Sequence, residues 1–156
     1  LAEPLASPHR PVRRPPARIA LAGAVHRHKG ADVFDAVVQE LAQRRPGAYE
    51  WHVFGGGDPL LLRRLSRLPR THVHGYYRAG DLPARLRAAA IDLVVLPSIW
   101  PEAHCLVLDE CAAAGVPVVA FDLGAPGERI RALGLGELVD PGAGAAGLAA
   151  CIGGLG

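Results

Sequence analysis

The chain has 156 residues, half of them hydrophobic and 21% charged, which fits one folded domain and excludes a disordered, charge-dominated polymer. Its net charge of +2 comes with no basic helix or aromatic-studded basic patch, so a nucleic-acid partner is not expected. No apolar run approaches the roughly 20 residues that span a bilayer, no apolar signal core follows the N-terminus, and Cys105, Cys111 and Cys151 make neither a disulfide framework nor a zinc spacing.

A reduced, cytoplasmic setting is expected. The chain contains no methionine, so residue 1 reads as internal to a longer protein, and the abrupt end in Gly-Gly-Leu-Gly agrees with an excised domain whose partner is missing. Residues 1–17 carry five prolines and three arginines (Arg10, Arg13, Arg14) without periodicity, and read as an extended linker or arm with solvated arginines. The folded domain is expected over 18–156.

Within it, Arg18–Ala22 reads as a first buried strand, and Gly23–Gly30 as the loop after it. Asp32 or a neighbour should cap a helix through Val33, Phe34, Val37, Val38 and Leu41, which leads through Pro46-Gly47 to a strand at Tyr49–Phe54. This is a βαβ unit with an expected right-handed crossover. Gly55-Gly56-Gly57 then makes a turn, and Asp58-Pro59 opens a helix to Leu68 whose arginines should face solvent. As a dinucleotide fingerprint GGGDPL fails, because Leu60 stands where the last glycine is needed; a nicotinamide oxidoreductase is disfavoured. A third strand is expected at Thr71–His74, a loop at Gly75–Arg78, a helix at Leu82–Ala90 capped by Asp81, and a fourth strand at Ile91–Leu96. His26/His28 and His72/His74 form two His-x-His pairs, but no third ligand accompanies either, so no metal is assigned.

Val94–Phe121, VVLPSIWPEAHCLVLDECAAAGVPVVAF, organises the chain. It reads strand, loop, helix from about His104 to Ala114, a Gly115 cap, and a fifth strand at Val118–Phe121. The helix is apolar on nearly every side and is expected to be buried. It carries Glu110, seven residues beyond Glu102 in the loop, and a buried carboxylate needs a partner. Two readings stand. Either Glu110 pairs with an arginine and Glu102 is solvated, or a ligand satisfies both. The ligand reading draws on position: loops at the carboxyl ends of parallel strands bind ligands, and N–H groups at His104, Cys105 and Leu106 suit a phosphate. Lys29, the single lysine among 17 Lys and Arg, sits between a strand and a helix and suits a phosphate as a point charge, or is an exposed loop lysine. Tyr76 or Tyr77 could pack on a base with Arg78 reaching a phosphate, or be ordinary surface residues. Beyond Phe121, a turn leads to a helix beginning near Glu128, a sixth strand at Gly136–Val139, and a last helix at Ala145–Ile152. The whole is an α/β, Rossmann-like, doubly wound parallel sheet of six strands with helices on both faces, in order 3-2-1-4-5-6.

The run Pro101-Glu102, seven residues, Glu110, followed by Ala-x-Gly-Val-Pro-Val-Val-Ala, resembles the donor-site signature of retaining GT-B glycosyltransferases (glycosyl transferases group 1, family 4-like). The likeness covers about residues 18–152 and implies the C-terminal, donor-binding half of such an enzyme. It implies that Glu102 lies by the donor sugar, that Glu110 holds the ribose, and that Lys29 meets the diphosphate. It further implies donor contacts at Gly23, Gly55, Gly57, Gly75, Tyr76, His104, Cys105, Leu106 and Val107, with Arg27 standing in for the arginine the family often has where this chain has Ala24. His104-Cys105 replaces the family's Phe-Gly. Retention, no metal and no cofactor beyond a nucleotide-diphosphate sugar are implied. The acceptor, a glycan, lipid or small molecule, and any membrane-surface contact would belong to the absent N-terminal domain, and the isolated domain would transfer little. Two rivals are a nucleotide-sugar epimerase or phosphorylase on the same half-fold, and a non-catalytic nucleotide-binding module.

Overall fold

A computed structural model describes residues 15–102 and 105–155. The arm at 1–14 and His104 lie outside the described residues. Six strands form one parallel sheet in the order β3-β2-β1-β4-β5-β6. These are β1 (Ala17–Ala22), β2 (Tyr49–Phe54), β3 (Thr71–Gly75), β4 (Leu93–Leu96), β5 (Val118–Phe121) and β6 (Gly136–Val139). The helices between them are α1 (Ala31–Arg44), α2 (Pro59–Ser66), α3 (Leu82–Ala88), α4 (Leu106–Ala114), α5 (Gly124–Leu133) and α6 (Gly144–Gly154). Short 3-10 turns occupy Arg27–Lys29 and Pro141–Ala143.

The central strands are apolar on both sides because helices cover both faces. On one face Ile19, Leu21, Trp51 and Val53 pack with Phe34, Val37 and Leu41 of α1, Leu65 of α2 and Leu148 and Ile152 of α6. On the other, Ala20, Val94, Val118 and Ala120 meet Leu82 and Leu86 of α3, Leu108 and Cys111 of α4 and Ile130 of α5. No helix is long and apolar enough to cross a membrane among the described residues.

Several boundaries differ from expectation, each for a local reason. β4 starts at Leu93, because Ile91 closes α3 instead: its N–H donates to Leu86 O (3.0 Å) and that of Ala90 to Arg87 O (3.0 Å), with Ala90 left-handed at φ 54°. α5 starts at Gly124, four residues before Glu128. Gly30, not Asp32, is the N-cap of α1. Asp58 does cap α2, accepting from Leu60 N–H at 2.9 Å and Leu61 N–H at 3.3 Å. Asp81 makes no side-chain cap bond to α3. α4 is not fully buried: Leu108 and Cys111 face the core, while Leu106 is 62% exposed and Asp109 and Ala113 are exposed.

The β2–β3 edge carries a relay of polar rings. His52 Nδ1 is 2.8 Å from His74 Nε2, and His52 Nε2 is 2.9 Å from Glu50 Oε1. Neutral rings satisfy this chain if His74 donates to His52 and His52 donates to Glu50. Among the described residues no cluster is placed to hold a metal. Burial pushes the His52 imidazole below its ordinary 6.5, outweighing the opposing pull of Glu50; His74 is lowered by burial and then by His52 and His72. Unfolded, both rings take a proton near pH 6.5; folded, they resist it, so the unfolded chain binds more protons just below that value. Stability is therefore full above about pH 6.5 and falls as the pH drops below it. Thermal melting followed from about pH 7.5 to 5.5 should show that fall, flattened in His52→Phe. An equally steep fall in the variant would assign it to other groups.

Candidate donor-binding site

The loops after β1 to β5 leave the sheet at one edge, and they are tied to each other. Gly23 N–H donates to Phe54 O (3.0 Å), Val25 N–H to Gly56 O (3.0 Å), Asp58 N–H to Val25 O (3.0 Å), and Gly55 N–H to Gly75 O (2.9 Å). The loops after β1, β2 and β3 thus continue the sheet's bonding beyond the strands, with Val25 bridged to Gly57. The resemblance implies donor contacts at Gly55 and Gly57, which otherwise read as a turn. In the structure a side-chain carbon on Gly55 would overlap the carbonyl oxygen of Gly23, and one on Gly57 would overlap that of Val25. These glycines hold the β1 loop in place. On its other side, Gly23 stands against the first turn of α4, where a Cβ would lie 3.3 Å from Val107 Cγ2.

That placement brings Lys29 to Glu102. They are 73 residues apart in the chain, and Lys29 Nζ donates to Glu102 Oε1 in an ion pair whose carboxylate side chain is 14% exposed and whose lysine side chain is 36% exposed. The β4 loop supports the lysine's loop: Ile99 N–H donates to His28 O (3.3 Å), as does the Ser98 hydroxyl (3.3 Å). Glu102 is held from the far side by α5. Its carbonyl accepts the N–H of Ala125 (3.1 Å), and a Cβ on Gly124 would stand 2.7 Å from that same oxygen. The sequence places a turn at Gly124-Ala125 but not its contact with Glu102, because that partner is distant in the chain.

Cys105 is the N-cap of α4, half-buried, with extended backbone and no side-chain cap bond. Its carbonyl accepts the N–H of Leu108 (3.2 Å), so the N–H groups of Leu106 and Val107 precede the first bond of the helix. Such an end carries partial positive charge. Glu110, one turn inward, is half-buried, and its Oε2 accepts the N–H of Leu82 at 3.3 Å. The carboxylate thus satisfies the first N–H of α3, whose N-cap residue Asp81 makes no side-chain bond, and ties the loop after β3 to α4. Tyr77 in that loop is half-buried, and burial, followed by the nearby Glu110 charge, pushes its phenol up to about 12. Tyr76 is 78% exposed, its Cβ 3.7 Å from the position a side chain on Gly56 would take. Arg27 is turned to Asp32, its Nε 3.8 Å from that carboxylate, with the side chain 80% exposed. Burial raises the Cys111 thiol far above its ordinary range, so it serves as core.

The structure thus joins Lys29 with Glu102, and Gly23 with Val107, beside the amino end of α4. Tyr76, Gly75 and Gly55 are contiguous next to them. No curated protein matches the chain. Among solved structures, the lipopolysaccharide outer core galactosyltransferase WaaB in its apo form aligns with a TM-score of 0.71 at 21% identity, covering 99% of this chain and 44% of that one. Anabaena Alr3699/HepE in complex with UDP and glucose aligns with a TM-score of 0.69 at 26% identity, covering 88% of this chain and 38% of that one. Sucrose-phosphate synthase from Thermosynechococcus elongatus gives 0.68 at 26%, covering 93% and 37%. The chain therefore spans less than half the length of these relatives. The six-stranded parallel sheet is that of one half of a GT-B fold. The family model described as glycosyl transferases group 1 matches residues 16–155, and the chain belongs to that family.

Proposed function

We propose that residues 18–156 are the donor-binding, C-terminal half of a hexosyltransferase that takes a sugar from a nucleotide diphosphate and transfers it with retention. The observation that carries this reading is the meeting of Lys29 and Glu102 beside the N-terminus of α4. A diphosphate leaving group develops negative charge as the glycosidic bond breaks. Lys29 and the N–H groups of Leu106 and Val107 would stabilise it without reorganising. Glu102, released from Lys29 by the arriving diphosphate, would orient the sugar hydroxyls. Glu110 would exchange the Leu82 N–H for a ribose diol, and Tyr76 would lie against the base. One relative at 26% identity, Alr3699/HepE, solved with UDP and with UDP-glucose, favours a uridine diphosphate sugar. The acceptor, a glycan, lipid or small molecule, would be held by an N-terminal domain, along with any membrane-surface contact. Three free cysteines support a cytoplasmic setting.

Calorimetric titration of the chain with UDP, GDP, ADP and NAD tests the reading. UDP should bind and the others bind less well. Glu110→Ala should weaken UDP at least about tenfold, the usual scale for a charge-assisted hydrogen-bond pair. Undiminished affinity in that variant would remove the ribose role. Silence toward all four, repeated with the whole protein, would overturn the donor-binding reading, and binding without transfer by the whole protein would favour a non-catalytic nucleotide-binding module.

A further inference from the structure

The amino edge of the sheet, opposite the donor loops, holds a cleft of about 700 Å³ between the carboxyl ends of α1 and α2. Its floor is aromatic: Trp51 and Tyr49, at the start of β2, line it. Four arginines surround it, Arg45, Arg64, Arg67 and Arg70. Arg64 is engaged, pairing with Asp32 and, at 2.9 Å, with Asp35. The Arg45 side chain donates to the Tyr49 hydroxyl (3.5 Å), and none of Arg45, Arg67 and Arg70 has a carboxylate partner among the described residues.

Arginines near helix ends ordinarily answer the helix dipole. That accounts for Arg45 and Arg67, the C-cap residues of α1 and α2. It does not account for Arg70, which lies beyond α2 in the left-handed region at φ 51°, rare for a residue other than glycine. The carbonyl of Arg70 accepts the Trp51 N–H (2.9 Å), which holds that turn. Its guanidinium lies over Gly47, Nη1 being 3.5 Å from where a Cβ would stand. The backbone of Arg70 is thus held at the cleft, which its side chain helps to line. Three arginines without carboxylates, less about half a charge from each of two helix ends, leave about +2 over an apolar floor. A phosphomonoester carries about −1.5 to −2 and takes arginine side chains in a fork.

We propose that this cleft is a second ligand site, for a phosphomonoester borne on an apolar or aromatic body, independent of the donor loops. Such a group could come from a lipid headgroup or from a soluble phosphate. Two probes separate these sources: hexyl phosphate titrated calorimetrically into the chain, and flotation with phosphatidylcholine vesicles with and without phosphatidic acid. The expected result is binding of hexyl phosphate that weakens roughly tenfold for each arginine removed in Arg67→Gln/Arg70→Gln. It should persist in Arg85→Gln/Arg87→Gln, an arginine pair on α3, and UDP affinity should be unchanged in the cleft variant. Flotation that needs both phosphatidic acid and the cleft arginines assigns a lipid headgroup; hexyl phosphate binding without flotation assigns a soluble ligand. No binding of either probe, or binding indifferent to the cleft variant, overturns the site.

Discussion

Lys29→Ala, made in a protein carrying both halves of the fold, is expected to lower kcat by about two to three orders of magnitude, the scale on which one preorganised group at developing charge is felt. The geometry makes the loss twofold in origin. The ammonium that would meet the leaving diphosphate is gone, and Glu102, with a side chain 14% exposed, loses its counter-ion. A half-buried carboxylate without a partner repels an incoming diphosphate, so donor affinity should fall as well. Glu102→Gln separates the two effects. In Lys29→Ala/Glu102→Gln the affinity for UDP should recover toward that of the parent while kcat stays low, because neutralising the carboxylate removes repulsion but restores no cation. Lys29→Arg should recover only part, since the planar fork cannot occupy the place of a compact ammonium. Steady-state kinetics with saturating acceptor, paired with calorimetry, reads both. Transfer within a fewfold of the parent in Lys29→Ala would take the residue out of the reaction.

The sheet was legible because its signal is local. Tyr49–Phe54, though it carries Glu50 and His52, is delimited by Gly47 and Gly55, and the apolar Val118–Phe121 follows Pro117; the structure has both bounds unchanged. The order β3-β2-β1-β4-β5-β6 likewise agrees with the alternation of strands and helices. What escaped the sequence is non-local. Asp81 reads as a cap for α3, but the Leu82 N–H is taken by Glu110 from a helix 28 residues away in the chain. The start of α5 moves forward to Gly124 because the carbonyl of Glu102 accepts one of its first N–H groups. The arginines of α2 read as solvent-facing because charge on a helix surface usually is. That Arg64 reaches Asp32 and Asp35 on α1, and that Arg67 and Arg70 share a cleft with Arg45, depends on how the two helices dock. Glu110 shows the consequence for function: the residue was identifiable, but its partner in the ligand-free state was not.

Gly55→Ala should be among the most damaging single substitutions in the chain, although it adds one methyl group. Gly55 sits at φ 141°, and its new Cβ would overlap the Gly23 carbonyl oxygen, a backbone atom with no rotamer to yield. Relief requires moving the β1 loop, and that loop is bonded on both sides through Gly23 to Phe54 and Val25 to Gly56. Backbone strain and overpacking each cost about 1–3 kcal/mol, so a combined loss of about 2–6 kcal/mol is expected. In a domain of this size that lowers Tm by about 4–24 °C. Gly80→Ala supplies the comparison: its φ is 90°, but nothing lies within 4 Å of the added carbon, so it bears the strain without the clash. The difference between the two urea denaturation curves reports chiefly the clash, since both positions carry positive-φ strain. The same displacement reaches the site. The β1 loop packs on Val107 and leads to Lys29, so the Gly55 variant should also weaken UDP binding at temperatures where it remains folded. Gly80→Ala should leave binding intact. If Gly55→Ala were no less stable than Gly80→Ala, the loops would be more yielding than their bonding implies. The placement of Lys29 against Glu102 would then be a consequence of ligand-free packing and not of a preorganised site.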